Sequence, residues 1–267
     1  MTDGDLGAPF FRESGVGPGV VCLHSNASTS GQWRPLMERF SPKIRVIAVD
    51  TLGAGKSPDW PADRVVTLSD EAAFLEPAFA RAGDPFAIVG HSYGGAVALI
   101  AALANQGRVS RMVVYEPTLF SLLKEESPGQ ETLSEIRDVA CAAAADVEMR
   151  HTHRAAERFI DYWMGVGSWA ATPELLKEPI AASMVNVGGW AEALIGDSTP
   201  LESFRKLDIP VLYLVGEHSP NSSKGVARLL TAVLPEVEVF ELKGLGHMAP
   251  ITHPDTINEL ITGFLNG

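Results

Sequence analysis

The stretch FAIVGHSYGGAVALIAALAN, residues 86 to 105, joins two different patterns. Its first part, FAIVG, is a short continuous apolar run, the composition of a strand covered on both faces. From Ser92 onward, SYGGAVALIAALAN is rich in Ala and Leu and predicts a helix. At the junction Gly90, Ser92 and Gly94 form the pattern G-x-S-x-G. A serine on a sharp turn between a buried strand and a helix is the setting of a nucleophile elbow: the strained turn projects the hydroxyl from the sheet edge, and flanking glycines remove side chains that would clash. The helix N-terminus at the same point favours developing negative charge. The plainer reading is a glycine-rich turn with no chemistry.

Outward from this stretch the alternation continues. GVVCLH (19–24), IRVIAVD (44–50), RMVVYE (111–116), IPVLYLVG (209–216) and VEVFEL (237–242) are further strand-like runs, and their apolar character suits coverage on both faces. SSKGVARLLTAVLP (222–235) sets Val226, Leu229, Leu230 and Val233 on one helical stripe. Strand and helix in turn predict an α/β fold with a mainly parallel sheet. Residues 118–200 break the pattern. ETLSEIRDVACAAAADVEMR and HRAAERFIDYWMGV read as helices, and the segment is expected as a helical cap over one sheet edge, with residues 1–117 and 201–267 forming the core.

Bulk properties narrow the function. With 267 residues, 46% of them hydrophobic, the chain can bury a large core, and its net charge of −12 repels polyanions, so nucleic acid is excluded as a partner. No apolar run is long enough to span a membrane, and the start MTDGDLGAPFFRESG lacks a secretory pattern, so a cytoplasmic location is expected. Cys22 and Cys141 form neither a disulfide framework nor a metal spacing, and both are expected to be buried and reduced. No cofactor and no metal are implied.

A serine hydroxyl needs an imidazole to take its proton. His247 in GLGHMAP (244–250) follows the last strand-like run, on a loop that Gly244 and Gly246 allow to be tight, and it comes late in the chain as the order serine, acid, histidine requires. Among the other histidines, His24 and His91 adjoin strand ends and are expected to shape loops. His151 and His153 are assigned to a solvated helix face, and His218 and His253 to polar loops.

Together GHSYGG, GLGHMAP, LHSNASTSGQW (23–33) and VDTLGAGKS (49–57) resemble the α/β-hydrolase family, in its branch with a helical cap. The resemblance runs from residue 19 over nearly the whole chain. It implies a mostly parallel sheet of about eight strands flanked by helices, with the cap inserted after strand 6, although FFRES leaves room for only an abbreviated first hairpin. It also implies an oxyanion hole of backbone N–H groups: Tyr93, after the nucleophile, and Ser25 or Asn26, where His24-Ser25-Asn26 replaces the usual His-Gly. The same stretch resembles the halide-contacting loop of haloalkane dehalogenases, but those enzymes use an aspartate where this chain has Ser92.

The acid is the open question. The usual aspartate follows the strand ending at Val215; here that stretch is GEHSP, with Glu217 two residues early and Ser219 uncharged. Glu116, in MVVYEPTLF, ends the strand after the nucleophile helix, on the edge to which parallel strands deliver their C-terminal ends. Some family members take their acid from that strand. Glu116 is favoured over Glu217, with a dyad lacking an acid as a third possibility; Ser219 is then an ordinary polar loop residue.

Phe120, Trp163 and Met248 are the candidate pocket residues, within an apolar, aromatic cap that includes Phe159, Tyr162, Trp169 and Trp190. The expected activity is hydrolysis of a small or medium, mainly uncharged carboxylic ester through an acyl-enzyme. Alternatives are a lactonase or carbon–carbon bond hydrolase with the same triad, and a non-catalytic ligand receptor. A monomer or homodimer is expected.

Overall fold

The computed structural model describes residues 6–40, 42–61, 64–125 and 129–267. Seven strands form one sheet in the order β1-β3-β2-β4-β5-β6-β7. They are β1 (Phe11–Ser14), β2 (Gly19–Leu23), β3 (Arg45–Val49), β4 (Phe86–His91), β5 (Val109–Tyr115), β6 (Val211–Gly216) and β7 (Val237–Leu242). Only β1 runs antiparallel, paired with β3; every other pair is parallel. All the C-terminal ends of β2 to β7 therefore face one edge.

The structure corrects three sequence expectations about the sheet. About eight strands were expected and seven are found among the described residues, because the chain turns directly from β1 through residues 15–18 into β2, with no second strand to complete an N-terminal hairpin. The helical insertion consequently follows the fifth strand rather than the sixth. The run VEVFEL also departs from coverage on both faces. As β7 it is the sheet's edge, exposed from Glu238 to Glu241, and its two glutamates suit an edge that must not pair with another chain.

Helices α1 (Arg34–Phe40), α2 (Leu68–Phe74), α3 (Glu76–Ala82) and α4 (Tyr93–Ala104) alternate with the first strands. Helix α4 is buried along nearly its whole length and apolar on all sides, as befits a helix packed against the middle of the sheet and covered again outside. Between β5 and β6 lie α5 (Gly129–Glu148), α6 (Thr152–Met164), α7 (Ser168–Ala171), α8 (Glu174–Ser183) and α9 (Val187–Gly196), and no strand among the described residues. After β6 come α10 (Asn221–Val233), α11 (Ala249–Thr252) and α12 (Pro254–Asn266). In α10 Val226, Leu230 and Val233 are buried as their stripe predicts.

The core divides on the two faces of the sheet. One apolar cluster joins alternate residues of the strands to α2, α3, α4 and the helices after β5; the other joins the opposite residues to α1 and α12. Cys22 lies in the second cluster, where burial pushes its thiol pKa far up. Cys141, expected to be buried, is exposed instead. In an alanine-rich helix the sequence does not mark the inner face, and Ala140 and Ala143 take it. Among the described residues no helix is long and apolar enough to cross a membrane.

Candidate active site

Ser92 sits between β4 and α4 with φ 56° and ψ −117°, a conformation a non-glycine residue rarely adopts. Two neighbours show why the sequence tolerates this turn. A Cβ on Gly90 would lie 2.5 Å from the Gly94 carbonyl oxygen, and one on Gly94 would lie 2.5 Å from the backbone of Leu23. The turn therefore closes only with glycine on both sides, and the serine is 5% exposed at the strand edge.

His247 arrives on the loop between β7 and α11. Its Nε2 lies 2.9 Å from Ser92 Oγ and its Nδ1 lies 2.6 Å from Glu116 Oε2. Glu116 follows β5 with φ 43° and is 0% exposed. Its other oxygen, Oε1, accepts the Gly216 N–H at 2.6 Å and the Ser219 hydroxyl. A carboxylate facing Nδ1 fixes the tautomer: Nδ1–H donates to Glu116, which leaves Nε2 to accept the serine proton.

The structure thus brings together Ser92, His247 and Glu116, and separates Glu217 from them. Glu217 is exposed and accepts the Gly244 N–H at 2.7 Å, away from the imidazole. Ser219 is not the free loop residue expected from sequence. It is buried, and it donates to Glu116.

Among the interactions that hold the histidine loop, three come from ring side chains. The Tyr115 hydroxyl donates to the Gly246 carbonyl at 2.8 Å. His91 Nε2 lies 2.8 Å from the His247 carbonyl and must donate to it, since its Nδ1 accepts the Gln32 side-chain amide at 3.1 Å. Burial, then the neighbouring His247, pushes the His91 pKa well below that of a free histidine, which suits this neutral role. The face of Trp163 stacks on the His247 imidazole, with centroids 4.0 Å apart.

Gln32 also reaches the other side of the site, where its Oε1 accepts both the N–H and the hydroxyl of Ser25 at 3.2 Å. This revises the expected oxyanion donors. Ser25 N–H is committed to Gln32, whereas the next N–H, that of Asn26, bonds to no described residue. Tyr93 N–H opens α4 and has no carbonyl within the helix to bond. His24 completes the loop: its Nε2 accepts the Thr51 N–H at 3.2 Å, so its Nδ1 donates to the Ser25 carbonyl at 2.7 Å. Its pKa is lowered, chiefly by burial.

Sequence reasoning missed Gln32 and Ser219 as parts of the site. Each lies inside a quoted motif, LHSNASTSGQW and GEHSP, but nothing local distinguishes them from turn residues. Of the expected pocket residues, Phe120 and Trp163 line a narrow cavity of ≈ 30 Å³ that holds Ser92. Met248 and Trp163 line an apolar cleft of ≈ 540 Å³ with Ile160, Leu176 and Ile251. A third cleft, ≈ 580 Å³, is walled by Thr51, Asp59, Trp60 and Asn186. Asn26 lines all three spaces and so marks their junction. No group of three or more histidine, cysteine, aspartate or glutamate side chains that could hold a metal occurs among the described residues.

Comparison with known proteins places the chain in a family. Residues 20–260 match the model of the alpha/beta hydrolase family. The chain is similar to the pimeloyl-[acyl-carrier protein] methyl ester esterase of Yersinia pestis, 26% identical over 252 residues covering 92% of each chain. It is likewise similar to carboxylesterase YbfK of Bacillus subtilis, 26% identical over 260 residues that cover 94% of this chain and 81% of that one. In fold it resembles MGS-M2, an alpha/beta hydrolase enzyme from a Medee basin deep-sea metagenome library, with a TM-score of 0.81 at 17% identity and coverage of 97% and 94%. With the family model spanning most of its length, the chain belongs to the alpha/beta hydrolase family and is a hydrolase with carboxylesterases among its relatives.

Proposed function

We propose that the protein is a cofactor-independent serine esterase that cleaves a small or medium, mainly uncharged carboxylic ester through an acyl-enzyme. The observation that carries this reading is the unbroken line from Ser92 Oγ to His247 Nε2, 2.9 Å, and from His247 Nδ1 to Glu116, 2.6 Å. Ser92 attacks the ester carbonyl while His247 takes its proton. The oxyanion forms against the N–H groups of Tyr93 and Asn26. His247 then protonates the departing alcohol, and a water activated by the same imidazole cleaves the acyl-enzyme.

Glu116 orients the imidazole and balances the positive charge it gains. Trp163 adds to this: an aromatic face stacked on the ring limits its rotation. Residues 118–200 serve as the cap that roofs the site, and the ≈ 540 Å³ apolar cleft takes the larger limb of the ester. The named esterase relatives support ester hydrolysis in general. A lactone would use the same groups, the difference being that its leaving hydroxyl stays tethered to the acyl chain.

A fluorophosphonate probe tests the assignment, since it labels only an activated serine. Wild type is expected to label and to lose the label in Ser92→Ala, with ester turnover falling by about 10⁴-fold or more. Equal labelling of the two proteins sinks the proposal. Product analysis on matched ester and lactone panels separates the two substrate types.

A further inference from the structure

Buried polar atoms are almost always hydrogen-bonded, so an exception calls for a partner that binds from outside. Thr118 Oγ1 is one of the few buried side-chain polar atoms among the described residues with no partner. The residue is 1% exposed. It also lines the narrow cavity that holds Ser92, whose other walls include Phe120, Ile136, Trp163 and Leu194. The other orphaned atoms, among them those of Ser121, Tyr213 and Trp33, do not line that cavity.

Side chains with polar atoms in the lining of this space are Asn26, Ser92, Thr118 and the two indoles Trp163 and Trp190. The Ser92 hydroxyl is taken by His247, and Asn26 stands at the junction with the wider clefts. Among the lining groups the Thr118 hydroxyl alone is buried with no partner, and unlike an indole N–H it can both donate and accept. It is also tied to the nucleophile, because Thr118 N–H donates to the Ser92 carbonyl at 3.3 Å.

Which part of an ester enters follows from the chemistry. The acyl group stays bonded to Ser92 through both half-reactions, whereas the alcohol must leave before water can attack, and the wide clefts give it a way out. The space that holds Ser92 is much the smallest of the three that meet at Asn26, so it suits the smaller limb of the ester as the acyl group and leaves the wider clefts to the alcohol.

We propose that Thr118 is a specificity-determining residue whose Oγ1 hydrogen-bonds an oxygen substituent next to the reacting carbonyl, so that the enzyme favours esters of short 2-hydroxy or 2-oxo acids over plain alkanoates of equal length. A hydroxyl both donates and accepts, so it serves a 2-hydroxy and a 2-oxo group alike. The inference rests on Ser92 being the nucleophile of the proposed esterase.

The test compares kcat/KM for butyl 2-hydroxypropanoate and butyl propanoate in wild type, Thr118→Val and Thr118→Ser. Valine keeps the shape and removes the hydroxyl; serine keeps the hydroxyl. Comparing variants on each ester cancels the esters' different intrinsic reactivities. Thr118→Val is expected to lose about tenfold on the hydroxy ester, the worth of one neutral hydrogen bond, and to stay within about twofold on the plain one. Thr118→Ser is expected to keep the wild-type ratio.

Equal effects of Thr118→Val on both esters overturn the proposal; that is the result expected if the hydroxyl merely holds a buried water. A second pair, 2-hydroxyethyl and propyl propanoate, carries the oxygen on the alcohol, and a selective loss there overturns the acyl placement. If Thr118→Val does not fold, Thr118→Ala takes its place, with the same ratio as readout. Turnover of butyl propanoate by wild type and its loss in Ser92→Ala report on the esterase reading separately, so either idea can fail alone.

Discussion

Two glutamates bury their carboxyls completely beside the nucleophile turn, Glu116 at the end of β5 and Glu71 on α2, each 0% exposed. Each accepts one backbone N–H and one hydroxyl: Gly216 and Ser219 for Glu116, Leu52 and Tyr93 for Glu71. What differs is the third partner. Glu116 faces the His247 imidazole, which in the proposed mechanism gains charge as Ser92 gives up its proton, while no imidazole among the described residues bonds to Glu71. Burial, outweighing its two hydrogen bonds, pushes the Glu71 pKa up to about 8. Seclusion and hydrogen bonding alone produce a strut behind Tyr93; an imidazole alongside is what gives the same group its proposed role as the acid of catalysis.

The largest expected effect tests that difference directly. Glu116→Gln keeps the size of the side chain but lets an amide present N–H to Nδ1, favouring the wrong tautomer of His247. Turnover is expected to fall by about 10³- to 10⁴-fold. Glu217→Gln, on an exposed side chain whose bond to the Gly244 N–H of the histidine loop a glutamine oxygen can keep, is expected to stay within about twofold. Steady-state kinetics of the two variants decide it, and a large loss confined to Glu217→Gln reverses the assignment of the acid.

A smaller effect is expected at Ser219, the position at which the family resemblance leads one to expect the acid. Restoring an aspartate there sets a second carboxylate against Oε1 of Glu116 in place of the hydroxyl that donates to it. Like charges buried this close cannot both ionise comfortably. Ser219→Asp is expected to cost about 10²-fold in kcat, and Ser219→Ala, which removes one hydrogen bond and adds no charge, about tenfold or less. A gain of activity in Ser219→Asp means that the vacancy in GEHSP is a defect rather than part of the arrangement around Glu116.

How far these contacts are legible in the sequence depends on their range. The elbow at Ser92, the alternation of strand and helix and the lateness of His247 are local or ordinal features, and they suffice for the fold and for two members of the site. The rule that parallel strands end on one edge brings both Glu116 and Glu217 to that edge, and the vacant aspartate position only favours Glu116. The Ser219–Glu116 contact spans 103 residues, and Gln32–His91 spans 59. Pairs so distant depend on how loops lie over that edge, which residue type and periodicity do not encode. Thr118 is a related case, since a threonine in a strand-end turn looks ordinary until its hydroxyl is found buried and unpartnered.

The smallest effect on activity, and the sharpest on stability, is expected from Glu71→Gln. Gln keeps a carbonyl oxygen to accept the Tyr93 hydroxyl, so turnover should change by no more than about threefold. Stability responds differently, because the folded-state pKa of Glu71, about 8, lies above its ordinary value of 4.5. Folding therefore favours the neutral carboxyl. The contribution is fully present below pH 4.5 and is lost as pH rises through 8, at most about 1.4 kcal/mol for each pH unit between them. Glutamine is neutral throughout and bears no such loss. Thermal melts at pH 4, 6, 8 and 10 should then show the variant gaining on wild type from pH 4 to 8 and holding a constant lead beyond. A difference independent of pH would mean that the Glu71 carboxyl is as readily ionised in the fold as in water, and the contrast between the two buried glutamates would have to rest on position alone.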